Sequence, residues 1–201
     1  TEGYADMKNF VILISFLVVA HLSLQAQTSI TFIGNTKTVD HTPGMVTVHA
    51  ENGSVRIEVL SENIFRYRAS QSGVFTETAS YAIVNPPART PQYDFTEELG
   101  SVTLTTSRMK IVIAKNPVRI TVYDPQGTIM NQDEPAFGVT FDGKEVRSYK
   151  TLFDDEQFFG LGEKAHNLGR RNNQYTLWNS DTPAYKFGSD PLYVSTPFFI
   201  G

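Results

Sequence analysis

The chain has 201 residues, of which 40% are apolar and 19% are charged, and its formal net charge is -4. This length and apolar fraction allow one sizeable domain with a hydrophobic core, whereas the acidic balance and the scatter of the basic residues argue against nucleic-acid binding. The chain contains no cysteine, which excludes thiolate catalysis, cysteine metal sites and disulfides.

The first predicted element is a secretory signal peptide over residues 1–26, which includes a short upstream remnant before Met7. Lys8 is followed by an apolar run, FVILISFLVVA, at residues 10–20. A positive start, an apolar stretch of about 7–15 residues and a small residue before the cleavage site are typical of such a leader. We place the cleavage after Ala26 and expect a periplasmic or extracellular protein. The run is shorter than the roughly 20 apolar residues that a membrane span needs, and a buried element of the fold is the alternative.

From residue 28 onward the sequence predicts one short strand after another. Residues 46–50 and 55–59 alternate apolar and polar side chains on either side of Asn52-Gly53, which is a hairpin signal. Further strands are predicted at residues 64–68, 102–106, 109–113, 118–123, 137–141 and 145–149. No segment has a helical apolar stripe of ten or more residues. We therefore predict an all-β fold, an antiparallel β-sandwich, as one domain over residues 27–201.

The chain lacks the motifs of the common catalytic sites. Its four histidines have spacings that suit no zinc motif, and we predict no metal and no cofactor. Among the carboxylates, the cluster at residues 154–156 is typical of a solvated turn. Glu163, which follows Phe-Gly-Leu-Gly, is interpreted as a buried structural residue that bonds backbone amides or a neighbouring basic side chain. A role of Glu163 at a domain interface is the alternative.

Four residues form a candidate sugar-binding set: Trp178, Asn179, Asp181 and Tyr185. Sugars are recognised through planar hydrogen bonds from carboxylates and amides, with an aromatic face packed against the ring. These residues supply both kinds of group within eight positions. The alternative is that Trp178 belongs to the core and that Asp181 caps a turn, as aspartate often does.

Four ordered blocks resemble the N-terminal domain of glycoside hydrolase family 31. They are FGLGE at 159–163, YTLWN at 175–179, SDPLY at 189–193 and PFFIG at 197–201. That family holds α-glucosidases, α-xylosidases and related α-glucosyl-transferring enzymes. The resemblance implies a galactose-mutarotase-like β-sandwich that precedes a catalytic (β/α)₈ barrel. The strands before residue 150 fit the same domain only in general pattern.

The resemblance also implies a function for the intact protein, that of a secreted retaining α-glycosidase acting on α-linked oligosaccharides. Two aspartates of the barrel would act as nucleophile and general acid/base, and both would lie beyond Gly201. We therefore expect this chain to be truncated before the barrel, to have that barrel as its partner and to be inactive alone. Its contribution would be a loop that helps to close the sugar pocket. Asp181 matches the position from which this loop contacts substrate.

Several alternatives stay open at this point. Residues 182–188 lie where substrate choice in the family differs, and they leave glucoside against xyloside, and hydrolysis against transglycosylation, undecided. A free-standing carbohydrate-binding module would bind glycans without catalysis and would expose an aromatic platform around Trp178 and Tyr185. A structural or adhesive sandwich without a ligand would bury the same aromatic side chains. The apolar residues 198–200 at the chain end favour the truncated accessory domain over both.

Overall fold

The computed structural model describes residues 30–76 and 92–201. These residues divide into two compact units, one that ends at Thr151 and one that comprises Leu152–Gly201; we call them unit 1 and unit 2. The predicted signal peptide and its predicted cleavage site lie outside the described residues, and the domain boundary at residue 27 stays a prediction. Within the described ranges, no helix is long and apolar enough to cross a membrane.

Unit 1 is built from antiparallel strands. The four-stranded sheet has the order β2-β3-β4-β5, the five-stranded sheet β10-β9-β8-β7-β6, and the three-stranded sheet β1-β11-β12. The bounds are β1 Thr31–Phe32, β2 Thr36–Thr42, β3 Met45–Ala50, β4 Gly53–Ser61, β5 Ile64–Ser70, β6 Asp94–Glu97, β7 Ser101–Thr105, β8 Lys110–Lys115, β9 Val118–Tyr123, β10 Ile129–Gln132, β11 Val139–Asp142 and β12 Glu145–Ser148. The predicted all-β, antiparallel fold is confirmed.

The hydrophobic core of unit 1 joins its sheets. Successive side chains of a strand point to opposite faces, so every second residue of β3, β4, β7, β8 and β9 faces inward. Buried side chains of the three sheets meet in one cluster, which includes Val46, Val48, Val55, Ile57, Val102, Leu104, Ile111, Ile113, Ile120, Val122, Val139 and Phe141. Sheets that pack face to face around a shared interior of this kind form a sandwich.

Gly53 begins β4 where backbone and core approach each other closely. A Cβ atom at this position would lie 2.8 Å from the ring of Phe141 and 2.8 Å from the carbonyl oxygen of Ser70. The predicted hairpin is confirmed: Ala50 pairs with Gly53, and the turn falls at Glu51 and Asn52. Glycine is thus needed at position 53 because of this close approach, and the turn itself lies just before it.

Unit 2 has one strand pair and is otherwise made of loops. Strand β13, Phe159–Gly162, pairs with β14, Ser195–Ile200, in antiparallel orientation. Gly160 has φ 111° and Gly162 has φ 80°, both in the region that favours glycine. A Cβ atom at Gly162 would lie 2.5 Å from the carbonyl oxygen of Val194. The Gly-Leu-Gly sequence is therefore what lets the two strands approach each other.

Candidate functional site

The candidate site is a long loop of unit 2, residues 176–193, which we call the aromatic loop. It contains all four of the predicted sugar-binding residues, and each of them is exposed: Trp178, Asn179, Asp181 and Tyr185. The loop contains no helix and no strand, and it ends shortly before β14. Its conformation therefore depends on side-chain and backbone hydrogen bonds that tie it down at identifiable points.

The base of the aromatic loop is held by a buried ion pair. Lys164 follows β13, and its side chain has no solvent exposure. Its Nζ donates to Asp190 Oδ1 over 2.6 Å and to the carbonyl oxygen of Thr176 over 2.8 Å. The other carboxylate oxygen of Asp190 accepts a hydrogen bond from the Thr176 N–H. Because Thr176 and Asp190 lie at opposite ends of the loop, Lys164 clamps the two ends together.

The electrostatics of the clamp favour an ionised Asp190. Desolvation by burial acts to raise the pKa of this carboxyl, but the hydrogen bonds from Lys164 and from the Thr176 backbone outweigh it. The pKa of Asp190 therefore lies below its ordinary value. Hydrogen bonding to the charged form is the general cause of such a shift.

One structural expectation at this place is wrong. Glu163, interpreted as buried, is exposed, and its neighbour Lys164 is the buried residue. The backbone N–H of Glu163 donates to the carbonyl oxygen of Val194 at the end of the β13–β14 pair. Adjacent side chains of an extended segment point to opposite sides, so Lys164 points inward where Glu163 points outward.

A second set of hydrogen bonds closes the two limbs of the aromatic loop. The Ser180 N–H donates to the carbonyl oxygen of Leu192 over 2.9 Å. The Ser195 N–H donates to Asn179 Oδ1 over 2.7 Å, and Ser195 Oγ donates to the carbonyl oxygen of Trp178 over 2.9 Å. Leu192 is fully buried. The backbone around Trp178 is thus fixed on both sides.

The Trp178 side chain projects from this fixed backbone with 70% of its surface exposed. This exposure contradicts the alternative that Trp178 belongs to the core. Together with Leu177, Asn179, Ser195 and Pro197, Trp178 lines an open pocket of about 420 Å³. Pockets of roughly 300–1,000 Å³ are the usual size of small-ligand sites. An indole ring beside an amide and a hydroxyl group is suited to a neutral, hydroxylated ligand.

Asp181 and Tyr185 do not line this pocket; both interact with Tyr193 instead. Burial is the main cause that raises the pKa of the Tyr193 phenol, and the charges of Asp181 and Tyr185 add to it. The Tyr185 and Tyr193 rings lie 6.1 Å apart in an edge-to-face arrangement. Tyr193 Oη donates to the carbonyl oxygen of Thr182 over 2.7 Å, which anchors the loop segment that carries Asp181.

The structure therefore places the four predicted residues in two neighbouring groups of one loop. Their role in sugar binding stays a prediction. Sequence reasoning missed the residues that shape the loop, Lys164, Tyr193 and Ser195, although Tyr193 lies in one of the blocks that carry the family resemblance. Among the residues that the structure describes, no group of three or more histidine or acidic side chains could hold a metal ion.

Comparison with known proteins gives a consistent result. A family model described as the glycosyl hydrolase 31 N-terminal galactose mutarotase-like domain matches residues 54–201. Alpha-glucosidase 2 of Bacillus thermoamyloliquefaciens is 33% identical over 171 residues, a match that covers 84% of this chain and 21% of that protein. An isomaltosyltransferase of Sporosarcina globispora is 24% identical over 196 residues, which cover 92% of this chain and 17% of that protein.

A solved structure supports the same fold. The family 31 dextranase of Flavobacterium johnsoniae, complexed with isomaltotriose, superimposes with a TM-score of 0.79 at 30% identity. The match covers 85% of this chain and 21% of the dextranase chain. The chain thus spans about a fifth of the length of these relatives.

Proposed function

Because the chain belongs to glycoside hydrolase family 31, as its N-terminal galactose mutarotase-like domain, we propose that it contributes the aromatic loop to the sugar pocket of an α-glycosidase. The observation that carries this proposal is the combination of an anchored backbone and exposed side chains. Lys164 and Ser195 hold the loop, while Trp178 and Asp181 face solvent. A side chain kept exposed on a fixed backbone is available to a ligand at a reduced ordering cost, because the backbone is already held.

The chemistry of the loop suits one wall of a sugar site. The Asp181 carboxylate accepts hydrogen bonds from adjacent sugar hydroxyls, and such charge-assisted bonds are about twice as strong as neutral ones. The Trp178 ring packs against the apolar face of a pyranose. The Asn179 oxygen already accepts a bond from Ser195, which leaves its Nδ2 group as a donor. Tyr185 adds a second aromatic group beside Asp181.

We propose α-linked glucose oligosaccharides as the substrate class. The activities for which the relatives are named, those of an alpha-glucosidase, an isomaltosyltransferase and a dextranase, support this choice over xylosides. They include both hydrolysis and transfer, and the aromatic loop does not discriminate between these outcomes. A retaining mechanism needs two carboxylates about 5–5.5 Å apart, and we place this pair in a barrel that follows the present chain.

Two further parts of the proposal concern the whole protein. We propose that residues 7–26 direct its secretion, on the strength of the positive start and the apolar run. We also propose that the catalytic barrel covers the apolar side chains of β14, where Phe198, Phe199 and Ile200 are each more than half exposed. The chain alone is then inactive.

A carbohydrate-binding module without catalysis is the second candidate function. The exposed indole of Trp178 favours it, since an aromatic platform is sufficient for binding. The two candidates differ in what Asp181 does. In a pocket wall, Asp181 affects turnover by the intact enzyme; in a separate binding module, it affects only the retention of polymeric substrate.

The test is the steady-state kinetics of the intact enzyme with Asp181→Asn, on isomaltotriose and maltose. We expect kcat/KM to fall about tenfold to a hundredfold, because a hydrogen bond to a charged group contributes about 1.5–3 kcal/mol. Asp155→Asn is the matched control, since Asp155 is an exposed carboxylate of unit 2 outside the aromatic loop. Unchanged kinetics on both short substrates would remove Asp181 from the pocket.

A further inference from the structure

We infer that unit 1 carries a second sugar-binding site, at the end of its sandwich where three turns meet. The sugar class rests on the proposed function, but the site itself is defined by unit 1 alone. It is an open pocket of about 720 Å³ between the β2–β3 turn, the β4–β5 turn, the start of β6 and the end of β7. Its lining includes His41, Gly44, Glu62, Tyr93, Asp94 and Ser107.

One wall of this pocket is aromatic and already ordered. His41 lies in the same cross-strand row as Val46 and Ile57 and therefore faces the interior side of the sheet. Its ring stacks on Phe95 of β6, with centroids 3.9 Å apart and planes 11° from parallel. Its Nε2 lies 2.8 Å from the hydroxyl oxygen of Tyr93. The His41 ring is therefore held by a stacking contact with Phe95 and by a hydrogen bond with Tyr93.

The Tyr93 hydroxyl also ties this wall to the β2–β3 turn. It accepts a hydrogen bond from the Gly44 N–H over 3.1 Å and lies 3.3 Å from the carbonyl oxygen of Thr42. Three contacts therefore fix a single phenolic oxygen. Preorganisation of this kind reduces the entropic cost of binding a ligand.

Another part of the lining is acidic and rich in hydroxyl groups. Ser107 Oγ donates to Glu62 Oε2 over 2.7 Å, and Thr106 Oγ1 donates to the backbone oxygen of Glu62. These bonds connect the β4–β5 turn to the turn after β7 and set the position of Glu62. Asp94, which is exposed at the start of β6, supplies a second carboxylate.

The charge of the lining selects the class of ligand. The described lining residues include no lysine and no arginine, so a phosphate or another anion would meet two carboxylates without a counter-charge. A calcium ion takes 6–8 oxygen ligands, and in the described ranges no three histidine or acidic side chains are placed so that they could hold a metal ion. A neutral ligand rich in hydroxyl groups fits this lining better than an anion or a calcium ion. Its hydroxyl groups donate to the carboxylates, and its apolar face packs on the aromatic wall. The pocket volume is in the range of ligand sites.

A site of this kind would let the protein hold a second stretch of a long α-glucan. Two sites that bind one polymer raise its effective concentration at each of them. The consequence for the intact enzyme is a preference for long substrates over short ones, provided that one chain can reach both sites.

The experiment is an isomaltotriose titration of the 201-residue chain, followed by amide NMR. Resonances of Gly44 and Ser107 report on the pocket of unit 1, and the indole N–H of Trp178, the only tryptophan in the chain, reports on the aromatic loop. We expect saturable shifts of Gly44 and Ser107. The double variant Glu62→Gln, Asp94→Asn should weaken this binding by about tenfold or more, because both charge-assisted bonds are lost.

The controls separate this inference from the proposed function. Glu98→Gln changes an exposed acid of unit 1 outside the pocket and should leave the Gly44 and Ser107 shifts intact. A Trp178 shift that is equal in wild type and double variant supports two separate sites. Gly44 and Ser107 shifts without any Trp178 shift would support the second site while counting against the aromatic loop. Absence of those shifts, their persistence in the double variant, or their reproduction by calcium chloride alone would overturn the inference.

Discussion

Lys164 and Asp190 form an ion pair whose lysine is completely buried, with 2.6 Å between Nζ and Oδ1. The pair is the only described salt bridge of unit 2 with both partners more than four-fifths buried. Charges in such a place are costly to bury, and removal of one partner leaves the other as an uncompensated buried charge. Here they join the two ends of the aromatic loop, so that the position of Trp178 follows from a contact at the loop base.

Lys164→Met should destabilise unit 2 by about 3–5 kcal/mol. The substitution keeps the volume of the side chain but leaves the Asp190 carboxylate without its counter-charge, and breaking one partner of a buried pair has a cost of this size. Urea unfolding followed by the NMR signals of unit 2 measures the change. Lys186→Met, at an exposed lysine of the same loop, is the control and should have little effect. Equal urea midpoints for Lys164→Met and Lys186→Met would contradict the role of Lys164 as a clamp of the loop.

The same pair predicts a dependence of stability on pH. The pKa of Asp190 is lowered in the folded state, so its stabilising contribution is present above the unfolded pKa and is lost as the pH falls through the folded pKa. The free energy of unfolding of unit 2 should therefore decline from about pH 5 downward and continue to decline below the ordinary aspartate pKa of about 3.9. In Asp190→Asn this decline should be shallower. A wild-type profile that parallels that of the variant would exclude Asp190 as its source.

The strands that the sequence predicts are the ones whose alternation is set by burial. Residues 46–50 and 55–59 read as strands because their apolar side chains face one core. Strand β2 was not predicted, because in Thr36–Thr42 only Val39 is apolar and the strand lies at the edge of its sheet. It forms through its register with β3, where Val39 pairs with Val48. Pairing of this kind depends on a neighbour and leaves no periodic signal of its own.

The candidate site divides in the same way. Composition and resemblance point to Trp178 and Asp181 as candidate sugar-binding residues, because the chemistry of these side chains can be read from the local sequence. The exposure of Trp178 was undecided, since an indole followed by polar residues is compatible with core or surface. It is decided by Ser195, seventeen residues further along, whose hydroxyl bonds the Trp178 carbonyl oxygen. Hydrogen bonds between distant loop segments have no sequence period, so the clamp at Lys164 could be found only in the structure.

Trp178→Ala should separate binding from folding. Because 70% of the side chain is already exposed, we expect the free energy of unfolding to change by no more than about 0.5 kcal/mol. The KM of the intact enzyme for isomaltotriose should rise, since the aromatic face of the pocket is removed. Leu168→Ala is the matched control, because Leu168 is an equally exposed apolar residue of unit 2 that lies outside the aromatic loop. A large loss of stability in Trp178→Ala would show that this side chain has a structural role.

Gly162→Ala should disrupt the pairing of β13 with β14 and thereby displace the aromatic loop. Gly162 has φ 80°, and an added Cβ would meet the carbonyl oxygen of Val194 at 2.5 Å and the nitrogen of Thr196 at 2.8 Å. Gly188 offers a closely matched comparison, since it has φ 91° but no atom within 4 Å of an added Cβ. Gly188→Ala should therefore cost only the strain of a left-handed backbone, about 1–2 kcal/mol.

The difference between the two glycine variants isolates the steric contact. Gly162→Ala must bear the same backbone strain and must also move β14, because backbone atoms cannot give way as the end of a flexible side chain can. We expect a larger fall in the free energy of unfolding than in Gly188→Ala, with changed amide shifts for Ser195 and Trp178. If both variants lose the same stability, the close approach of the two strands does not control the loop.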